Sequence, residues 1–287
     1  MTDRRITHRT ISLGGGVQSS VILLMANAGD LEPAPDMAIF ADTDWEPSSV
    51  YEHLEWLESV SEIPIVRVSN GRSLREDSAN WVQQQGRPNL ALPVFITNPD
   101  GSKGMVQHRQ CTDRYKIVPI HQYLRRELLN LEPGKRVPKD VMIEQWLGIS
   151  YDEPMRMRDS RQAWISLRYP LIDLKMTRRD CHEWFQERYP DRSLPRSACS
   201  GCPFRSDREW LHLKSDNPDD FKEAIRVDTN LRTMAAVKAF KGTPYLHGRR
   251  KPVEEAVEDY ERELAMNPML PGLESGAGNE CAGVCFV

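Results

Sequence analysis

The chain has 287 residues, a formal net charge of −4 and a sequence pI near 6.0. Hydrophobic residues make up 39% of it, which supports a packed core and argues against wholesale disorder. The acidic balance argues against a general electrostatic field for nucleic acid, no apolar run reaches the roughly 18 residues of a membrane span, and six cysteines are too few for a disulfide scaffold.

Met1 to Thr10 is charged and has no leader-like apolar stretch, so the cytoplasm is the expected compartment. Thr10–Leu13 reads as a short strand ending in glycines, Ser19–Ala28 as an apolar helix, and Met37–Phe40 as a buried strand ending at Asp42. After Pro47, Ser49-x-x-Glu52 predicts a capping box, and the helix behind it buries Val50, Leu54 and Leu57. Ile63–Val68 predicts a third strand. Alternating strands and helices imply a parallel sheet, and so an α/β fold, doubly wound and mostly parallel. Residues 86–110, rich in Pro and Gly, read as a long loop. Val141–Leu147 reads as a further strand, and Trp164–Ile172 is an apolar run broken by Pro170. From Thr177-x-x-Asp180 the pattern turns helical, with Cys181, Trp184 and Phe185 on one face. Further helices are expected at Asp207–Lys214, Asp219–Val227 and Val253–Leu264. The expected division is a nucleotide-binding region 1–175, a helical cysteine-bearing region 176–266 and a flexible tail 267–287.

Ser12-Leu13-Gly14-Gly15-Gly16-Val17-Gln18-Ser19-Ser20 joins a strand to a helix. Glycines let the backbone adopt positive φ and turn its N–H groups inward, and the following helix adds free amides and a positive dipole end. Ser19 and Ser20 can donate hydroxyls to the same anion. No lysine follows, so this is not the GxxxxGK[ST] loop, and Ser19 stands where the dinucleotide fingerprint needs a glycine. A tight turn that binds nothing is the alternative.

The stretch resembles the SGGxDS signature of PP-loop ATP pyrophosphatases, which split ATP between its α and β phosphates. Gly14 stands for the first serine, Gly15 and Gly16 for the glycines, Gln18 for the aspartate and Ser19 for the last serine, so two positions depart. Three more segments resemble the sulfonucleotide-reductase branch, that of phosphoadenosine phosphosulfate (PAPS) reductase. Phe40-Ala41-Asp42-Thr43-Asp44-Trp45-Glu46-Pro47 is similar to its DTG-type element. Cys111-Thr112-Asp113-Arg114-Tyr115-Lys116-Ile117 is similar to its cysteine–basic segment, and Gly148 to Arg156 to its later glycine–acid–arginine element. The resemblance implies an adenine nucleotide alpha hydrolase-like fold that binds ATP with Mg²⁺. Ser12, Gly14, Gly15, Gly16, Gln18, Ser19, Ser20, Arg114, Lys116 and Glu153 are its expected nucleotide contacts. Asp42 is expected to hold ribose hydroxyls or metal, and Arg156 to neutralise developing charge on pyrophosphate.

Cys199-Ser200-Gly201-Cys202 has the C-x-x-C spacing that lets two thiolates reach one metal or cluster, or form a redox pair. The resemblance places Cys111 beside it, giving three ligands for a [4Fe–4S] cluster. Cys181 is either a fourth ligand or a buried core thiol. Zinc, completed by His182 or His212, is the rival metal. The tail carries Cys281 and Cys285 in Glu280-Cys281-Ala282-Gly283-Val284-Cys285, which partly resembles the Glu-Cys-Gly end of sulfonucleotide reductases, making Cys281 a candidate nucleophile. Three functions follow as expectations. The first is ATP-dependent sulfur insertion into a nucleobase or nucleic acid, with a sulfide or persulfide donor. The second is sulfonucleotide reduction through Cys281, and the third is a non-catalytic nucleotide-binding cluster protein. Local nucleic-acid contacts are sought at Arg178 and Arg179 and at Arg249-Arg250-Lys251, and a homodimer is compatible with any of these readings.

Overall fold

A computed structural model of the chain describes residues 5–80, 90–106 and 110–266. Its first part alternates strand and helix: β1 (Ile6–Leu13), α1 (Val17–Asn27), β2 (Met37–Ala41), α2 (Ser48–Val60), β3 (Ile65–Val68) and the short α3 (Leu74–Ala79). A hairpin of β4 (Val94–Thr97) and β5 (Lys103–Val106) comes next. A helical stretch then runs from α4 (Gln110–Thr112) through α5 (Val118–Tyr123), with π-helical turns after each. β6 (Met142–Trp146), β7 (Ile165–Arg168) and α6 (Pro170–Asp173) lead to α7 (Arg178–Arg188), α8 (Asp207–Asp216), α9 (Pro218–Leu231), α10 (Met234–Phe240), β8 (Thr243–Tyr245) and α11 (Val253–Met266).

Five strands form one sheet in the order β3-β2-β1-β6-β7, and every neighbouring pair is parallel. Both faces are covered, as the sequence of β2 requires. Ala38 and Phe40 enter the core that contains α1 and α2, while Ile39 and Ala41 enter the opposite core with Ile120 and Leu124. Successive strand residues point to opposite faces, so an unbroken apolar strand must be buried on both. α1 is buried nearly all round, from Val17 to Ala26, because α7 packs on its outer side. The α/β, doubly wound expectation holds at this level.

The first strand is longer than predicted, and α1 begins two residues earlier, at Val17. The Ser49 capping box does not form. α2 starts at Ser48, and its first amide and hydroxyl are both bound 2.9 Å from Asp220 Oδ2, supplied by α9. Ser49 Oγ instead donates to Asn217 Oδ1 at 3.0 Å. The stretch read as a long loop holds the β4–β5 hairpin within its described residues, and β8 adds to it antiparallel. Val94 and Ile96 are buried while Phe95 and Thr97 are half-buried, a strand alternation too short to stand out among prolines and glycines. A second core gathers around this small sheet, drawing Trp45, Leu74 and Tyr115 together with Trp210, Phe221 and Val257, from both sides of residue 175. Among the described residues no helix is long and apolar enough to cross a membrane. The tail, with Cys281 and Cys285, lies outside the described residues.

Candidate functional site

The chain leaves β1 for β2 and β3 on one side and returns to β6 and β7 on the other. β1 and β6 therefore flank the topological switch point, where α/β sheets open a crevice at the carboxyl ends of their strands. The glycine loop follows β1, and Gly148–Arg156 follows β6. Of the three glycines only Gly15 has positive φ, +66°; Gly16 is extended. The hydroxyls expected to face a phosphate are engaged inside the fold. Ser19 Oγ accepts from the Gly14 amide at 3.0 Å, Ser12 Oγ accepts from Gln145 at 2.7 Å, and Ser20 Oγ pairs with His53 Nε2 at 3.0 Å. What remains for an anion is the amide end of α1. A cover lies over the loop: Ser197 Oγ donates to the Gly14 carbonyl at 2.6 Å, and a Cβ on Gly16 would meet Ser197 Cβ at 2.5 Å.

Across the switch point Gln18, in the place of the signature aspartate, donates to Ser150 Oγ and to Glu153 Oε2, each at 3.4 Å. Glu153 also accepts from Arg156 Nη1 at 2.7 Å. The loops after β1 and β6 are thus tied by a partly buried Gln–Glu–Arg chain.

The cysteine loop docks on the segment after β2. Ser200 N donates to the Trp45 carbonyl at 2.8 Å, and a Cβ on Gly201 would meet the Trp45 ring at 2.1 Å, so the third position of C-x-x-C admits only glycine against that ring. Arg205 holds the loop from behind, donating through Nη2 to the carbonyls of Ala198 (2.9 Å) and Cys199 (3.1 Å). Burial lowers this guanidinium to about 10, leaving it protonated at neutral pH. Beneath the thiols Lys116 Nζ lies 3.1 Å from Glu46 Oε1, which also accepts from Thr43 Oγ1 (3.2 Å) and Cys199 Sγ (3.4 Å). Burial pushes the Cys199 thiol well above its ordinary value; the Glu46 carboxylate adds to the rise and Lys116 opposes it. Four buried polar atoms around this loop have no hydrogen-bond partner: Trp45 Nε1, Glu46 Oε2, Ser200 Oγ and Arg205 Nε. Such a concentration is unusual for buried groups.

A cavity of about 90 Å³ brings these parts together. Cys111, Cys199 and Cys202 line it with Lys116, Arg156 and the first residue of α1, Val17; Arg178 and Arg196 complete its basic wall. That is well below the several hundred Å³ of ordinary small-molecule sites, and less than a whole nucleoside triphosphate needs. A second cavity, of about 1020 Å³, shares Arg178 and Arg196 with the first.

The structure therefore gathers Lys116, Arg156, Cys111, Cys199 and Cys202 and sets Gln18 and Glu153 beside them. It does not bring in the remaining predicted residues. Cys181 stands on α7, fully buried against the α1 core with Phe185, and burial pushes its thiol up to about 12. Of the two answers left open, that is the surroundings of a core thiol. Arg114 is exposed and lines neither cavity; its carbonyl accepts from Asn70. Asp42 ends β2 and accepts from Asp44 N and Tyr51 Oη, both at 2.8 Å. His212 lines the larger cavity only. Arg249 and Lys251 are bound in ion pairs with Asp207, Glu263, Glu255 and Asp259, and Arg250 donates to the Ile96 and Gly104 carbonyls, so this run is committed to holding the fold. Sequence reading passed over Glu46, Arg196 and Arg205, although arginines three residues before and after the cysteine pair were a visible signal.

Among the described residues no three His, Cys, Asp or Glu side chains stand grouped closely enough to grip a metal ion. Cys111, Cys199 and Cys202 line the wall of one cavity. No family model matches the chain, and no curated protein matches it significantly.

Proposed function

We propose that this chain is a cytoplasmic ATP-dependent sulfurtransferase of the PP-loop type. On this reading the sheet is an adenine nucleotide alpha hydrolase-like fold, with the cysteine-bearing helical region packed on it. The single observation that carries the reading is the convergence of three thiols, Lys116, Arg156 and the amino end of α1 on one cavity at the switch point.

The reaction has two steps. A carbonyl oxygen of the acceptor base bonds to the α-phosphorus of ATP, the neighbouring ring N–H gives up its proton and pyrophosphate leaves; a sulfide then bonds to the former carbonyl carbon and AMP leaves. Activation turns a poor leaving oxygen into a good one, and positioning supplies the rest. Arg156 and Lys116 offset the charge that builds on the departing pyrophosphate, and the amide end of α1 receives phosphate oxygens. Glu153, oriented by Gln18 and Arg156, is the carboxylate available to a Mg²⁺ that accompanies ATP. Cys111, Cys199 and Cys202 are the ligands for a [4Fe–4S] cluster, which when bound supplies the nucleophilic sulfide. Arg205 and Gly201 keep Cys199 and Cys202 in place, and the apolar wall of Leu74, Leu92 and Phe204 limits water.

The test is incubation of anaerobically reconstituted protein with ATP, sulfide and RNA or DNA. AMP and a thiolated base are the expected products, and the absence of both sinks the proposal. Iron content and visible absorption of the same preparation separate a cluster from zinc.

A further inference from the structure

We infer that the cavity of about 1020 Å³ is a binding site for a nucleoside phosphate, with the phosphate held at the end it shares with the thiol cavity. The inference rests on the proposed function and deepens it by naming what occupies this second chamber. Four arginines line the chamber: Arg178, Arg192, Arg196 and Arg205. Arg178 and Arg196 also line the thiol cavity, so they stand at the junction, and Arg205 binds the backbone of the cysteine loop itself. Arg205 is the independent sign of a ligand. Its residue is 8% exposed, two carbonyls take up Nη2, and its buried Nε has no hydrogen-bond partner. A buried guanidinium with an unsatisfied N–H is costly unless an anion or another acceptor takes it up.

The rest of the lining fits a nucleoside better than a bare oxyanion. Glu52, Asp191 and Asp216 offer carboxylates, which suit sugar hydroxyls and base N–H groups, while a fourth, Glu209, is ion-paired with Arg196; Leu194 and Pro195 offer apolar surface for a base. Phosphate sites favour the planar, multiply donating guanidinium, so Arg178 and Arg196 at the junction give the ligand a direction. The volume lies at the upper end of what small-molecule sites use, several hundred to about 1,000 Å³. Two sources share this chemistry: the adenylate portion of ATP, and a nucleotide unit of the acceptor.

The experiment titrates the full chain with AMP, UMP, adenosine and inorganic phosphate by calorimetry, with Arg192→Glu and Arg205→Gln as variants. Arg192 is exposed, so its replacement leaves the cysteine loop untouched. Both nucleotides are expected to bind more tightly than adenosine, and each variant to weaken them by about tenfold to a hundredfold with little effect on adenosine. A preference for AMP assigns the chamber to the ATP-derived nucleotide, and a preference for UMP to the acceptor. Nucleotide affinities that stay within twofold of wild type in both variants overturn the inference. If the protein forms AMP from ATP yet neither variant changes nucleotide binding, the reaction stands and this site falls. If the variants lose monophosphates but no acceptor ever yields AMP, the site stands and the reaction falls.

Discussion

Replacing Lys116 by methionine probes the ion pair beneath the thiols. Its nitrogen lies 3.1 Å from Glu46 Oε1, and the two side chains are 9% and 1% exposed. At an effective dielectric constant near 20 the attraction at this distance is roughly 5 kcal/mol, much of it offset by stripping water from both ions. Removing the cation alone leaves the Glu46 carboxylate buried with only Thr43 and Cys199 donating to it. The expected loss is about 3–5 kcal/mol. Urea unfolding followed by circular dichroism should show it as a lower midpoint at unchanged slope. Adding Glu46→Gln should recover most of the loss, with a coupling of about 2 kcal/mol in the double-mutant cycle. A single-variant loss below about 1 kcal/mol refutes the reasoning, because it means water already solvates the pair. The thiol gives a second readout. Glu46 raises Cys199 and Lys116 lowers it, so Glu46→Gln should speed alkylation of Cys199 at pH 8 and Lys116→Met should slow it.

Burial, and then Arg192, hold the His53 imidazole down at about 4 against an ordinary 6.5. Its contribution to stability is complete above 6.5 and is lost as the pH falls toward 4, about 3 kcal/mol in all; the difference between wild-type and His53→Asn unfolding curves should change over that window and nowhere else. Gly201→Ala drives a methyl into the Trp45 ring and should cost about 1–3 kcal/mol while lowering the iron bound on reconstitution; full iron loading contradicts the docked loop. Asp220→Ala removes the acceptor for the first turn of α2 and should cost about 1 kcal/mol by thermal melting, whereas Ser49→Ala at the expected cap should cost less. Cys111→Ser should reduce bound iron and Cys181→Ser should leave it unchanged; the reverse pattern overturns the ligand assignment.

Four of the sheet's five strands were readable because each carries its own signal, while β7 lay within an apolar run broken by Pro170. β2 is apolar on consecutive residues, and Gly14–Gly16 marks where β1 ends. α7 was readable for the same local reason, since its Thr177–Asp180 capping box forms as spaced. A similar box at Ser206 and Glu209 opens α8, an equally local signal. What pattern could not supply is pairing at a distance. Glu46 and Lys116 are 70 residues apart, and Ser48 and Asp220 are 172 apart. Ser197 closing on Gly14 spans 183 residues, and nothing local to either residue announces it. The cysteines lay between these cases: the 199/202 spacing was plain, but only tertiary packing separates Cys111, which lines the cavity, from Cys181, which fills the core.

The hydroxyl that rests on the first glycine belongs to the same short strap as the first thiol. Only Ala198 separates Ser197 from Cys199, a tether of about 7 Å at full stretch. The strap is pinned at both ends, to Gly14 by Ser197 and to Trp45 by Ser200. Anything that lifts Ser197 to reach the amides beneath must therefore pull on the sulfur-bearing turn, so the two halves of the crevice share one mechanical degree of freedom.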